Sequence, residues 1–167
     1  MALDTRIKLT VASLLSGAID LQPLSAPLNM TFTKALTNGT AANQADKVWS
    51  DSSTIAASGT DSIDLAGSLT DAFGAALTFA RIKAVVVTAA AGNTNNVNVT
   101  RPASNGAPLF LAAGDGIAVR PGGMFCWVCG DATGVAVTAG TGDLLDIVNS
   151  AGGTSVTYDV AIIGASV

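Results

Sequence analysis

Residues 77–90 read LTFARIKAVVVTAA, and this stretch carries the clearest strand pattern in the chain. Its side chains alternate, with Phe79, Arg81 and Lys83 on one side and Ile82, Ala84 and Val86 on the other. Beyond these residues the stretch becomes almost entirely apolar, as a strand does where both of its faces are covered. The pattern therefore predicts a central sheet strand that is buried at one end and hydrated at the other.

The segments on either side of this stretch also favour strands. About nine or ten short apolar or alternating runs are separated by Gly, Asn, Asp and Pro turns, a spacing typical of antiparallel all-β domains. A single helical turn is expected near Thr70–Phe73, capped by Thr70 or Asp71. The AGG at residues 151–153 predicts a hairpin between DLLDIVNS and TSVTYDVAIIG. The predicted fold is an antiparallel β-sandwich of the jelly-roll type.

Composition supports the same fold class. All 12 acidic residues are aspartate, and aspartate and the 18 glycines favour turns over helix interiors. Hydrophobic residues make up 49% of the chain and charged residues 12%, so a disordered chain is excluded. The eight Lys and Arg residues are scattered and the net charge is −4, so we expect no nucleic acid partner. No apolar run has the roughly 18 residues of a membrane span, and no membrane partner is expected.

The N-terminal residues predict an extended arm. We assign residues 1–28 to this arm and residues 29–167 to the β-sandwich domain. Ile7, Leu9 and Val11 alternate with polar residues, which predicts one strand, and the following SLLSGAIDLQPLSAPL has no clear period. A signal peptide is the alternative interpretation, but Asp4 and the interspersed Ser and Thr residues disfavour it. The arm either anchors the protein to a partner or forms an ordinary first strand and loop.

Side chains that commonly act in catalysis are scarce in this sequence. The chain has no histidine and no glutamate, which removes the commonest general base and the Ser-His and Cys-His pairs. No dinucleotide-binding or P-loop glycine pattern is present. We therefore assign no catalytic, cofactor-binding or metal-ligating residue and expect a protein that is not an enzyme and has no cofactor. Hydrolysis by an acidic pair in a cleft stays the enzymatic alternative.

Both cysteines lie in one CWVC motif, Cys126 and Cys129. Such a motif is found in redox dithiols and in zinc sites. On a strand, however, residues three apart point to opposite faces, so Cys129 would share a face with Phe125 and Trp127, and Cys126 would face the other way. Zinc would also need two further ligands that the chain does not offer. We therefore expect two packed thiols.

Two further ligand classes deserve consideration. Calcium suits Asp-rich turns, and the candidates are Asp61, Asp64, Asp115, Asp131, Asp143 and Asp146, although no EF-hand loop is present. A sugar-stacking platform would need exposed aromatic residues, for which Trp49, Trp127 and Tyr158 are the candidates. Core packing is the simpler interpretation of Trp127, because aromatic residues are only 5% of the chain.

Several phrases together resemble a known protein family. They are ALTNGTAANQADKVWSD, LAGSLTDAFGAALTFARIKAVVV, AGNTNNVNV and VTAGTGDLLDIVNSAGGTSVTYDVAIIGAS, in that order over residues 35–167. They resemble a family of tailed-bacteriophage virion structural proteins. The resemblance implies a multi-copy component of the virion, assembled in the bacterial cytoplasm, and most simply a capsid decoration (cement) protein that stabilises the head.

The resemblance also sets the expected partners. They are the major capsid protein or other virion proteins, together with sister copies in a closed homo-oligomer, for which a trimer is expected. Alternatives are a tail or fibre-base component and, from a different class, a host-glycan-binding module. The family supplies no catalytic residues that can be carried over to this chain.

Overall fold

The computed structural model describes residues 2–167, so residue 1 of the predicted arm lies outside the described part. Fourteen strands follow one another along the described chain. They are β1 (Thr5–Ile19), β2 (Gln22–Asn38), β3 (Gln44–Ala45), β4 (Lys47–Ile55), β5 (Thr60–Asp64), β6 (Leu69–Thr70), β7 (Ala76–Leu77), β8 (Arg81–Ala89), β9 (Val97–Thr100), β10 (Gly116–Val119), β11 (Met124–Val128), β12 (Val135–Ala136), β13 (Leu144–Asn149) and β14 (Val156–Ala165). The predicted all-β, antiparallel class is confirmed.

The described residues contain no helix, and hence none that could cross a membrane. The helical turn expected near Thr70–Phe73 is wrong. Thr70 belongs to β6, and the Asp71 side chain instead accepts hydrogen bonds from the backbone N–H groups of Phe73 and Ala75, both at 2.9 Å. Asp71 thus closes a turn between β6 and β7, which is the role of a side chain that competes for the backbone.

Two main sheets form the body of the molecule. One has the strand order β10-β9-β13-β5 and the other β11-β8-β14-β4, with the short β12 also pairing with β8. Every pairing within these sheets is antiparallel. The stretch at residues 77–90 supplies β8, which is bordered by β14 on one side and by β11 and β12 on the other. Its predicted central place is confirmed.

The two sheets share one core. Alternate residues of β9 and β13, such as Val99 and Ile147, meet Val85 and Val87 of β8 and Ile162 of β14 in one buried cluster. Burial alternates along β13 and along the first half of β14, as expected of strands with one face inward. The result is a sandwich-like body of two packed layers.

The pairing of the eight main strands is nested. Taken in chain order these strands are β4, β5, β8, β9, β10, β11, β13 and β14. The first pairs with the eighth, the second with the seventh, the third with the sixth, and the fourth with the fifth. Most consecutive strands therefore lie in different sheets. The hairpin predicted between β13 and β14 is accordingly wrong, because these two strands lie in opposite layers.

The N-terminal region forms a long β-hairpin. Strands β1 and β2 pair without interruption from Thr5–Leu36 at the base to Ile19–Gln22 at the tip. At about 3.4 Å per residue the 15 residues of β1 span about 50 Å. The boundary predicted at residues 28 and 29 falls inside β2. The segment SLLSGAIDLQPLSAPL, which shows no clear period, supplies the tip half of both strands.

Candidate functional site

The hairpin has two chemically different faces. In an antiparallel pair, residues directly opposite each other project their side chains to the same side. Leu9 pairs with Phe32 and Val11 with Met30, so these four side chains share one face. Following the same register to the tip gives eight large apolar residues on that face. They are Leu9, Val11, Leu15, Ile19, Leu24, Leu28, Met30 and Phe32, and we call this set the apolar hairpin face.

The apolar hairpin face is open to solvent. Every residue from Lys8 to Thr33 is exposed. The exposed fractions of the eight apolar side chains run from 38% at Val11 to 77% at Leu15. Single exposed apolar residues are common on protein surfaces. A contiguous exposed apolar strip such as this one instead marks an interaction site.

The opposite face of the hairpin is polar near its base and mixes serines with small apolar residues and prolines toward its tip. Thr10 pairs with Thr31 and Lys8 with Thr33 on this side, and the hydroxyls of Thr10 and Thr31 lie 3.4 Å apart within hydrogen-bonding range. Leu14 is its large apolar exception. Antiparallel sheets commonly have one face in solvent and one apolar face that packs against another structure.

The base of the hairpin is fixed to the body. Leu36 is fully buried with Ala84 and Ile163 in a second apolar cluster, and Ile7 packs against that cluster. Backbone bonds extend the attachment, since β3 pairs in parallel with the end of β2 and the Leu3 N–H donates to the Asn38 side chain at 2.9 Å. The orientation of the hairpin is thus set at its base, while the rest of its length is free of the body.

An open groove of about 620 Å³ lies beside this base. It runs along the outer edge of β4, whose Trp49 lines it, and is completed by the turn between β6 and β7, where Phe73 is 80% exposed. Asp46, Asp51 and Asp71 make its polar margin. Strand β4 pairs only with β14 among the described strands, so its other edge borders the groove.

Strand β11 alternates as predicted over residues 125–128, and Cys129 follows directly after its end. Phe125 and Trp127 of β11 pack against the main core, whereas Val128 packs against the second cluster on the other side. Both cysteines are free, half-buried thiols, and burial raises the pKa of each. Strand β11 is an edge strand, which is why it is half-buried and not enclosed. A raised thiol pKa opposes the thiolate that redox chemistry requires.

Each of the six aspartates considered for calcium accepts a hydrogen bond from another residue of the fold. Asp131 accepts from the Thr133 hydroxyl at 2.7 Å and from the Gly134 N–H, and the first of these bonds is the main reason that the pKa of Asp131 falls to about 2. Each of the other five also accepts a bond from a nearby residue of the fold: Asp61 from Tyr158, Asp64 from Ala66, Asp115 from Ala112, Asp143 from Gly140 and Asp146 from Ser62. Within residues 2–167 no three His, Cys, Asp or Glu side chains come together in a metal-binding group.

The three candidate platform aromatics do not converge. Tyr158 is buried in the core with 1% exposure, and its hydroxyl donates to Asp61 at 2.6 Å. Burial, followed by this hydrogen bond, raises the pKa of Tyr158 far above its ordinary value. Trp127 is half-buried on β11, and Trp49 alone borders an open groove. A sugar platform would therefore have to use Trp49 with Phe73.

Lys83 is a feature that the sequence pattern did not reveal. Its side chain is fully buried, and its ammonium donates to the backbone carbonyls of Asp131 and Ala132, the latter at 2.9 Å. Lysine is rarely buried without such partners. Lys83 thereby ties the loop after β11 to the centre of the sheet.

Comparison with known proteins adds no relative. No protein-family model, curated protein or solved structure matches this chain.

Proposed function

We propose that this chain is a non-enzymatic, multi-copy structural component of a tailed-phage virion, a capsid decoration protein acting in the particle and assembled in the bacterial cytoplasm. The observation that carries the proposal is the projecting hairpin, one face of which is apolar and exposed. A catalytic protein concentrates polar groups in a concave site. Here the feature that stands out is instead an extended contact surface, and the resemblance of residues 35–167 to virion structural proteins agrees with it.

We further propose that the body is a jelly roll. That fold is an antiparallel ribbon rolled into two four-stranded sheets through two Greek keys. The nested pairing, first strand with eighth through fourth with fifth, is the pairing of such a ribbon. The sheet orders of the eight main strands support it as well, with β14 beside β4 and β13 beside β5.

The proposed mechanism is contact. The body is a rigid spacer. The hairpin is about 50 Å long, and most of its apolar side chains project away from the body, where they are exposed to solvent. Covering those side chains against the major capsid protein, other virion proteins or sister copies removes apolar area from water, which favours the assembled state. Opening the shell would then expose the same area again and cost free energy.

A shortened hairpin tests the proposal. Residues 8–33 are replaced by Asn-Gly, which joins the paired residues Ile7 and Lys34 by a two-residue turn, as Ile19 and Gln22 are joined at the native tip. Ile7 and Leu36 stay in place, so the body keeps its second cluster. We expect purified particles to carry the full chain in many copies on the head, and particles made with the shortened chain to lack it.

Its control is Leu111→Asp, a change at a fully exposed apolar residue away from the hairpin, which should not affect incorporation. A particle reconstruction supplies copy number and position. A few copies at the tail would overturn the decoration role in favour of a tail or fibre-base component. Full incorporation of the shortened chain would show that the hairpin is not needed for binding to the particle.

The groove at β4 favours one second candidate, a host-glycan-binding module. Trp49 and the exposed ring of Phe73 offer apolar surface, and Asp51 and Asp71 offer acceptors for sugar hydroxyls. Binding on a glycan array that is lost with Trp49→Ala and retained with Leu111→Ala would support this candidate. Absence of binding by the intact chain would dismiss it.

A further inference from the structure

The apolar hairpin face carries no charge between its base and its tip. From Leu9–Phe32 to Ile19–Gln22, every residue on this face is apolar or neutral. Its occupant must therefore offer an uncharged apolar strip of similar length, since an unpaired charge buried there would be costly. An isolated two-stranded hairpin is marginal in water, so a covering partner also explains why the pair persists along its whole length.

Within the described residues, one surface meets this requirement. The remaining large exposed apolar side chains outside the hairpin lie on separate segments and form no strip. They are Val48, Phe73, Leu111, Ile117, Met124 and Val167. The apolar hairpin face of a second copy is uncharged, apolar and of equal length. We propose that two copies of this chain pair through their apolar hairpin faces, with the hairpins stacked antiparallel.

Charge selects the antiparallel orientation. Lys34 lies on the apolar side at the base of the hairpin, and Asp20 lies in the turn at its tip. Antiparallel stacking brings each Asp20 to the Lys34 end of the other copy, whereas parallel stacking gathers like charges at both ends. Lys34 also donates to the Asn43 side chain, which leaves two ammonium protons for the partner.

Side-chain size agrees with this orientation. Placing Lys34 opposite Asp20 sets the middle of the stack between the cross-strand pairs Ser13–Leu28 and Leu15–Ala26. Each of these pairs has one small and one large member, so the two copies can interdigitate. The bulky pair Val11–Met30 then falls between Leu15–Ala26 and Gly17–Leu24, where Ala26 and Gly17 leave room.

The size of the contact predicts a weak dimer. A two-stranded ribbon about 50 Å long and about 10 Å wide presents roughly 500 Å² on one face. Two such faces bury roughly 1,000 Å² in all, the lower end for a specific interface. A three-fold parallel bundle would repeat the like-charge contacts at base and tip, and we therefore favour two copies over the trimer expected of symmetric virion proteins.

Neighbouring residues on opposite faces supply a matched test. Val11 lies on the apolar hairpin face and Ala12 on the opposite face. In sedimentation equilibrium we expect the full chain to rise from 16.5 kDa to twice that mass with concentration. Val11→Asp should weaken this association by about 100-fold or more, because it buries uncompensated charge, and Ala12→Asp should leave it unchanged. Equal behaviour of the two variants would overturn the proposal.

Crosslinking tests the orientation. Cys126→Ala and Cys129→Ala give a background without thiols, into which Ser13→Cys or Leu21→Cys is placed. Ser13 lies near the middle of an antiparallel stack, whereas the two Leu21 tips would be about 50 Å apart. A short thiol crosslinker should therefore join Ser13→Cys chains and not Leu21→Cys chains. Equal joining at both positions, or a mass of three chains, would contradict the two-fold stack.

The pairing of two copies uses the same apolar hairpin face as the proposed contact in the virion, but the two can fail separately. Solution mass and crosslinking test the pairing of two copies, while particle incorporation tests the role in the shell. A chain that dimerises but never enters particles would keep the pairing and lose the decoration role. A monomeric chain that enters particles would do the reverse.

Discussion

Tyr158 is the most informative single residue in the core. It is the largest fully buried side chain, and its hydroxyl donates to Asp61 at 2.6 Å across the space between β14 and β5. We expect Tyr158→Phe to lower the free energy of unfolding by about 1–3 kcal/mol, because a hydrogen bond from a buried hydroxyl to a carboxylate is lost. Urea unfolding measures the change. Thr157→Val, at an exposed hydroxyl pair with Thr54, should cost at most about 0.5 kcal/mol.

The same residue sets a pH dependence at the alkaline end. Burial and the bond to Asp61 raise the pKa of Tyr158 in the folded protein. A raised folded pKa means that its contribution is complete below the pKa of an unfolded tyrosine, about 10, and is lost as the pH rises beyond it. The stability difference between the protein and Tyr158→Phe should therefore shrink above about pH 10. A constant difference up to pH 12 would show that Tyr158 does not ionise on unfolding.

At the scale of the element, β8 and β14 meet at a bulge. Their register shifts between Ile163 and Gly164, and a Cβ at Gly164 would overlap the Arg81 carbonyl oxygen and the Phe79 ring. We expect Gly164→Ala to cost about 1–3 kcal/mol, since backbone atoms must move to accept it. Thermal unfolding measures the loss. Gly92→Ala is the control, because no atom lies within 4 Å of its added Cβ, and an equal loss there would refute the argument.

This bulge also marks where the strand prediction stopped working. Alternation placed Ile82 and Ala84 on one side, but Ile82 faces the main core and Ala84 the second cluster. Ala84 pairs with Ile163 and Ile82 with Gly164, so Lys83 between them is the extra residue of the bulge. An inserted residue reverses the alternation after it. The Lys83 ammonium can be buried because it donates hydrogen bonds to backbone carbonyls of the loop after β11. That loop is distant in sequence, so the local pattern around Lys83 does not predict the contact.

The hairpin was only half predictable for a related reason. Ile7, Leu9 and Val11 predicted the first part of β1, whereas Pro23 and Pro27 suggested irregular chain. Prolines four residues apart place their missing N–H groups on the same edge, and an edge strand tolerates that. The register with β1 then collects residues from both strands into the apolar hairpin face. That face depends on the pairing of two segments, so no single segment displays it.

At the scale of the whole molecule, the turn signals predicted about nine or ten strands, fewer than the fourteen that the described chain forms, and they did not predict how the strands pair. Gly152 and Gly153 reverse the chain after β13 as expected, yet β14 enters the opposite sheet. Among the eight main strands, only β9 and β10 are consecutive and paired. Pairings such as Val156 with Ile55 join distant residues and are decided by the shared core, which local spacing does not contain.

The body and the hairpin should differ in the stability of their backbone hydrogen bonds. Amides of β8 and β14 lie in the central part of a sheet over the main core, so they exchange through global unfolding. Amides of residues 9–32 belong to a two-stranded ribbon that is marginal when uncovered. Hydrogen exchange should therefore be fast in the hairpin of a dilute sample and slow in the body.

Raising the protein concentration should slow exchange in residues 9–32 alone, because pairing of two apolar hairpin faces covers the ribbon. Ala12→Asp should retain this concentration effect and Val11→Asp should abolish it, while exchange in β8 stays the same in both variants. Protection of the hairpin that equals that of β14 at every concentration would mean that the ribbon is stable alone. In that case the long hairpin would need no partner to stay folded, and hairpin stability would no longer support the pairing of two copies.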